Sequence, residues 1–320
     1  MTGTSGFIGT SLCERLAART GFDVVGVDRR PPPECFPSIV YVDGDLTDTR
    51  FVRRLVQDAE PDAIVHLAAQ ARVDPSLLAA APTYADNVTT TLNLIAALEG
   101  LSRQSCRFVY ASSETVYGQT SRLPSTEDSP LNPQSPYAAS KAACELLVTR
   151  ALPRTALILR SGMGFGPRSD PSAQVVGRFI SRALDNRPIL FPKEDPRLGH
   201  PTRDTNFVGN FLDGLELALR AGATGTYNIA SGREVSILDL AKSVIQATGT
   251  GAILRSDEFQ YRAGEAGVRT WLDVSKGHDA FGYSPKVSLE DGLRPTVEWY
   301  RLHRDYFHKT QEPGPIATTQ

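Results

Sequence analysis

The chain has 320 residues, a formal net charge of −2 and a hydrophobic content of 41%, so it is long enough to bury roughly three quarters of its unfolded surface, as one large domain or two. Its acidic and basic residues are scattered and nearly balanced, which argues against nucleic acid or an anionic membrane surface as the main partner and leaves a small molecule. Cys13, Cys35, Cys106 and Cys144 show no C-x-x-C spacing, and no apolar run reaches the ~18 residues of a membrane helix, so we expect free thiols, a cytoplasmic location and no membrane partner.

The chain opens with Met1-Thr2-Gly3-Thr4-Ser5-Gly6-Phe7-Ile8-Gly9, three glycines at three-residue intervals that run into a helix with apolar Phe7, Ile8, Leu12 and Leu16. Such glycines let the backbone approach a pyrophosphate at a helix N-terminus; alone, they also fit a glycine-rich start to a surface helix. The strand that should precede this loop is missing. It is central in such a fold, so a Val/Ile-rich run upstream of Thr2 is expected in the natural chain. The next strand, Phe22 to Asp28, ends in an acid about 20 residues beyond the glycines, where a carboxylate accepts both adenosine ribose hydroxyls and repels a 2′-phosphate. NAD is therefore expected over NADP, although Arg29 and Arg30 follow directly.

Alternation continues through strand Ile39 to Val42, helix Thr49 to Ala59, strand Ala63 to Leu67, helix Thr83 to Glu99, strand Phe108 to Ala111, helix Pro136 to Arg150 and strand Ala156 to Leu159. Strands alternating with helices imply right-handed crossovers and a Rossmann-like, doubly wound parallel sheet. Asp45 and Leu46, after the third strand, fall where an adenine ring would rest, and Ala68 and Ala69 are small enough for close cofactor approach. His66 reads as a satisfied core histidine, since no second metal ligand lies near it in sequence.

The chemistry is expected between Phe108 and Lys141. Ser135 is a good N-cap and Pro136 suits the first helical position, so Tyr137 and Lys141, four apart, share a helix face. A phenol beside an ammonium can be drawn from its ordinary pKa of ~10 toward neutrality, which makes a general base. Ser113, at the mouth of the preceding strand, can hydrogen-bond the same substrate oxygen and share its proton. Taken alone, the Tyr and Lys also fit an ordinary amphipathic helix.

With the glycine loop, Asp28, Ser113, and Tyr137 with Lys141 in this order and spacing, the chain resembles the extended short-chain dehydrogenase/reductase family over almost its whole length, in particular its NAD-dependent nucleotide-sugar epimerases and dehydratases. The resemblance implies an NAD-binding domain over 1–160, with Gly3, Gly6, Phe7, Ile8, Gly9, Asp28, Asp45, Leu46, Ala68, Ala69, Tyr137 and Lys141 at the cofactor. A smaller C-terminal α/β substrate-binding domain would cover 161–310, with some segments returning to the first, and 311–320 would form a tail. The family's R-x-x-N-V-Y-G-P-R appears as Arg160-Ser161-Gly162-Met163-Gly164-Phe165-Gly166-Pro167-Arg168, with Met163 in place of the amide. Arg203-Asp204 resembles its R-D-[FY], with Thr205 for the aromatic, and Asn210 stands for the second acid of V-x-D. Arg262 and Glu265 match its R-x-G-[DE], which implies an arginine on the diphosphate and an acid on the nucleotide ribose. Asp273, Ser275 and Lys276, with the segment from Phe281 to Pro285, resemble the structural closing segment.

The family logic is transient oxidation. Tyr137 takes the proton of a sugar hydroxyl, expected at C4, while hydride passes to NAD+. Sugar dehydratases commonly follow the Ser or Thr with Asp-Glu, an acid and a base that expel water; here Ser113-Glu114-Thr115 retains the first carboxyl and lacks the second. A 4-epimerase needs neither, so nucleotide-sugar 4-epimerase is the leading expectation, with Ser113, Tyr137, Lys141 and Glu114 in the catalytic group and Ser113, Arg203, Arg262 and Glu265 on the substrate. The alternatives are a dehydratase, a UDP-glucuronate decarboxylase, a ketoreductase, or an NAD-binding sensor that has lost its chemistry. Val88, Leu92, Ile95, Leu146, Leu147 and Val148 make the two helices apolar over much of their circumference, which predicts a homodimer through a four-helix bundle.

Overall fold

Apolar runs become parallel strands here because helices cover both faces of the sheet they form. The computed structural model describes residues 1–101, 106–120, 122–191, 201–256 and 268–304. The first part contains α1 (Phe7–Ala17), β1 (Val24–Asp28), β2 (Ile39–Asp43), α2 (Thr49–Ala59), β3 (Ala63–His66), α3 (Val73–Leu78), α4 (Ala80–Tyr84), α5 (Thr90–Glu99), β4 (Arg107–Ser113), α6 (Pro136–Ala151) and β5 (Ala156–Ser161). Then come β6 (Met163–Phe165), α7 (Val175–Leu184), β7 (Ile189–Leu190), β8 (Thr202–Phe207), α8 (Val208–Arg220), β9 (Gly225–Ile229), β10 (Glu234–Ser236), α9 (Ile237–Thr248), β11 (Leu254–Arg255), α10 (Ser275–Phe281) and α11 (Leu289–Leu302).

β3, β4, β5 and β9 pair in parallel in that order, and β1 pairs with β2 in parallel. Met1–Gly3 joins the two groups. Thr2 bridges both Val27 and His66, with Thr2 N donating to Val65 O at 3.0 Å, Gly3 N to Val27 O at 2.8 Å and Val27 N to Met1 O at 2.9 Å. These three residues thus stand where the central strand was expected, and they join its two neighbours. The strand order reverses there, which opens a crevice at the carboxyl edge.

Side chains alternate across the sheet. Phe108 and Tyr110 pack with Val52, Leu94 and Val148 of α2, α5 and α6, while Val109 and Ala111 pack with Leu12 of α1 and Phe211 and Leu215 of α8. A separate core, built from Phe165, Phe179, Ile180, Leu240, Val244 and Val297, holds the C-terminal elements together. Among the described residues no helix is long and apolar enough to cross a membrane, and all four cysteines are free thiols.

One expected helix is interrupted. Where a continuous helix was read over Thr83 to Glu99, α4 passes through a π turn, Ala85–Thr89, before α5 begins. The wider turn is held by Asn87, whose Oδ1 accepts from Gln70 N at 2.7 Å and whose Nδ2 donates to Ser140 Oγ of α6 at 2.8 Å. The last ten residues, expected as a tail, lie outside the described residues.

Candidate active site

The glycine loop is shaped by contact as much as by flexibility. Gly3 has φ +73°, and a Cβ there would stand 2.6 Å from Ala68 N, a contact no side chain tolerates. Gly9 packs so closely that its Cβ would meet Gly3 O at 2.0 Å. These close approaches place Ala68 and the start of α1 at the same sheet edge. α1 begins at Gly6 with no side-chain cap, so its first-turn N–H groups, at Phe7, Ile8 and Gly9, are available to an anion together with the positive end of the helix dipole. Asp28 closes β1 beside it. Its Oδ2 accepts from Ser5 N at 3.0 Å and its Oδ1 from Arg30 N at 3.1 Å, and it lines a cleft of about 260 Å³ with Thr4, Arg30, Pro31, Pro32 and Tyr41.

The Asp28 carboxylate, bonded to the glycine loop through Ser5 N, and the uncapped amides that follow that loop suit the ribose hydroxyls and diphosphate of a dinucleotide. Arg29 also lines the cleft, and its guanidinium is held in a bidentate pair with Asp86 at 2.9 Å. Asp45 accepts from Thr47 N at 2.8 Å, which holds its carboxyl below the usual range, helped by the Arg29 guanidinium. Leu46 turns its side chain into the core. Ala69 follows Ala68 in the turn after β3.

The reacting side chains converge from β4 and α6. Ser113 ends β4 in extended backbone and caps the short turn Glu114–Val116, its Oγ accepting from Thr115 N at 3.2 Å and Thr115 Oγ1 at 3.0 Å. Ser135 caps α6 by accepting from Ala138 N at 3.1 Å, which sets Tyr137 and Lys141 on its first turns. Lys141 Nζ donates to Ala111 O at 2.8 Å and stands 4.8 Å from the Tyr110 ring centroid and 6.0 Å from that of Tyr137.

The protonation states differ from expectation. Burial pushes the Tyr137 phenol up to about 12, against the lowering effect of its hydrogen bond with Ser113, and pushes the Lys141 ammonium down to about 8. The ammonium was expected to draw the phenol toward neutrality. In this arrangement desolvation of the phenolate outweighs that attraction, and the Ala111 carbonyl engages the ammonium. Glu114 is equally removed from water. Burial first, and then the Asp204 carboxylate, push it up to about 8 against the pull of Arg203 and a hydrogen bond with Thr270, and its Oε2 has no hydrogen-bond partner among the described residues. At neutral pH it is therefore a neutral acid beside the Tyr137 hydroxyl.

Other predicted residues serve the frame. His66 lies between Thr2 Oγ1 at 2.8 Å and Thr91 Oγ1 at 3.1 Å, and burial pushes it down to about 3, so it is a neutral core histidine. Arg203 Nη1 donates to Thr202 O at 2.8 Å and Val268 O at 3.1 Å, so the backbone engages part of the guanidinium assigned to substrate. Asp204 accepts from Ser231 N, Gly232 N and Leu272 N at 2.8, 3.0 and 3.2 Å. Asn210 fastens the closing segment through Lys286 N and Val287 N at 3.1 and 3.0 Å. Met163 stands in register with Thr205, whose hydroxyl has no hydrogen-bond partner among the described residues. Arg262 and Glu265 lie outside the described residues. Among the described residues no group of His, Cys, Asp or Glu is placed to hold a metal.

The sequence reading missed the residues behind the site. Ser76 Oγ accepts from Tyr137 N at 3.3 Å, and Asn87 ties the π turn to α6. Glu145 of α6 forms a buried pair with Arg160 of β5, Nη2 to Oε2 at 2.6 Å, while Arg160 Nη1 donates to the Tyr117 hydroxyl at 2.8 Å. A polar residue in mid-helix is the one sequence signal that marks Asn87 and Glu145, and it marks solvated faces equally well.

Known proteins resemble this chain in sequence and fold. The family model described as GDP-mannose 4,6 dehydratase matches residues 1–296. The low-salt glycan biosynthesis protein Agl12 of Haloferax volcanii is 33% identical, over 94% of this chain and 97% of its own. A dTDP-glucose 4,6-dehydratase of an Actinoplanes species is also 33% identical, over 85% of this chain and 82% of its own. Among solved structures, the UDP-glucose 4-epimerase of Thermotoga maritima with UDP-glucose superposes with a TM-score of 0.84 at 27% identity, covering 94% and 97% of the two chains. The dTDP-glucose 4,6-dehydratase DesIV of Streptomyces venezuelae with NAD bound gives 0.84 at 30%, covering 96% and 97%. Epimerases and dehydratases thus surround the chain with one fold, and it belongs to the GDP-mannose 4,6-dehydratase family of NAD-dependent nucleotide-sugar epimerases and dehydratases, within the extended short-chain dehydrogenases/reductases.

Proposed function

We propose that the protein is an NAD-dependent nucleotide-sugar 4-epimerase that works through a transient 4-keto sugar. The observation that carries this reading is that, among the described residues, Glu114 is the one carboxyl beside Tyr137 and Ser113 with an oxygen left without a hydrogen-bond partner. Glu114 is followed by Thr115, whose hydroxyl is bound to Ser113, and Asp204 is occupied by backbone donors. Water loss across C5 and C6 needs a base as well as an acid, whereas inversion needs neither.

In this mechanism Asp28 binds the adenosine ribose and the first turn of α1 the cofactor diphosphate. When bound, NAD supplies the hydride acceptor and donor and a positive charge that favours the phenolate. Tyr137 takes the C4 hydroxyl proton, through Ser113 or directly, and returns it to the C4 oxygen once the ketosugar has turned to accept the hydride on its other face. Lys141 holds Ala111 and keeps positive charge beside the phenol ring, and Arg203, Arg262 and Glu265 are the proposed nucleotide-diphosphate contacts.

A second reading, dehydration, is favoured by the names of the relatives and by Glu114 itself, a buried neutral acid suited to protonating a departing hydroxyl. A nucleotide hexose deuterated at C4 separates the two. Epimerisation returns the deuterium to C4, and dehydration of the 4,6 type delivers it to C6; label at C6 would overturn the epimerase reading. The exposed Leu92 of α5 and Leu146 of α6 further support assembly as a homodimer, with a cytoplasmic site of action for a nucleotide-sugar enzyme.

A further inference from the structure

The loop that follows Asp28 is fastened to a segment far from it in sequence. Arg168, just beyond β6, has left-handed backbone, φ +68°, which a residue with a Cβ seldom adopts, and its side chain is only 11% exposed. Its Nε and Nη2 donate to the two carboxylate oxygens of Glu34 at 2.9 and 2.8 Å, and its Nη1 donates to Glu14 at 3.0 Å. The two acids belong to different parts of the first domain. Glu14 lies on α1, which starts at the glycine loop, and Glu34 lies two residues beyond Pro32, which lines the cleft with Pro31 and Tyr41. The Tyr41 hydroxyl holds the same loop at Phe36 N and Glu34 O, both at the long distance of 3.4 Å.

A bidentate guanidinium–carboxylate pair is both stronger and more directional than those two contacts. β6 itself is seated on the cofactor side, since a Cβ on Gly164 or Gly166 would lie 3.6 or 3.4 Å from the Phe7 ring. Arg168 is therefore anchored where it can hold the loop. Beyond it, the Tyr300 hydroxyl of α11 reaches Ser169 O, so the anchor continues into the C-terminal core.

We propose that Arg168 is a positioning residue that latches loop 31–37 over the adenosine end of the cleft, so that release of the dinucleotide requires the Arg168–Glu34 pair to open. The proposal rests on the NAD reading above, and it makes cofactor retention depend on a residue of the substrate-side segment.

The test is the rate at which bound NAD+ leaves the purified full chain, with no sugar present, after dilution into an enzyme that consumes free NAD+. Arg168→Gly keeps the left-handed backbone available, and Glu34→Gln removes one partner at a half-exposed position. Each is expected to release NAD+ about five- to tenfold faster than the unmodified chain, and the double variant no faster than either. Added salt should speed release from the unmodified chain and leave the variants unmoved. Should Arg168→Gly fail to fold, Glu34→Gln decides alone. Unchanged release from a chain that binds NAD+, or additive effects in the double variant, would overturn the latch; a chain that binds no NAD+ would overturn the cofactor reading and the latch together.

Discussion

Glu114 shows how far a single side chain can be read from sequence and where that reading stops. Its place after Ser113 was legible, and so was the missing second carboxylate at Thr115. Its protonation was not, because that depends on burial and on Asp204, a residue of distant β8. A shift from the ordinary value of 4.5 to about 8 corresponds to on the order of 4 to 5 kcal/mol. The folded state holds this proton between those values, so the contribution is intact below the lower one and is lost as pH rises through about 8. Glu114→Gln, neutral at every pH, should melt near the unmodified chain at about pH 5 and roughly 10 °C above it at about pH 9, at roughly 2–4 °C per kcal/mol. A gap in melting temperature that does not change with pH would contradict this. For activity, Tyr137→Phe should lower turnover by on the order of 10³-fold, and Ser113→Ala by roughly 10²-fold, read as initial rates at saturating sugar.

At the scale of elements, α6 was the most legible because its signals are local. Ser135 and Pro136 predicted its start, and the structure begins it at Pro136. The π turn before α5 was hidden because its cause, the Asn87–Ser140 bond, joins residues 53 positions apart. The same holds for Glu145 and Arg160, whose side chains are 5% and 6% exposed. Removing one partner leaves a buried charge unpaired, at a cost of about 3–5 kcal/mol, whereas removing both is far milder. Arg160→Met alone should therefore lower the melting temperature by roughly 10 °C, and adding Glu145→Leu should restore most of it; an additive double loss would show that the pair is not coupled. The apolar helices also divide as their periodicity implies. Ile95 and Val148 face the core, while Leu92 and Leu146 are 44% and 60% exposed. With Leu92 and Leu146 at a dimer seam, light scattering at micromolar concentration should give a dimer mass, and Leu146→Glu should give a monomer.

For the whole molecule, alternation of strands and helices was enough to assign the parallel sheet, because covering both faces leaves each strand apolar throughout. It did not predict that β9, after residue 160, would extend that sheet beside β5, since pairing order is set by packing among elements distant in sequence. Nor did it show how Met1–Gly3 bridges β1 and β3, which rests on four backbone and terminal hydrogen bonds. The chemistry has the same division: the residue types at the site were readable, and the number of carboxyls free to act there is a property of the folded chain. That number is what separates inversion from water loss. The most direct measurement is the mass and NMR spectrum of the product formed from UDP-, dTDP- and GDP-hexoses and UDP-glucuronate. We predict a product of unchanged mass, inverted at C4, absent with Tyr137→Phe and only mildly reduced with Glu114→Gln. A product lighter by one water, abolished by Glu114→Gln while the ketosugar still forms, would contradict the epimerase account and establish a dehydratase.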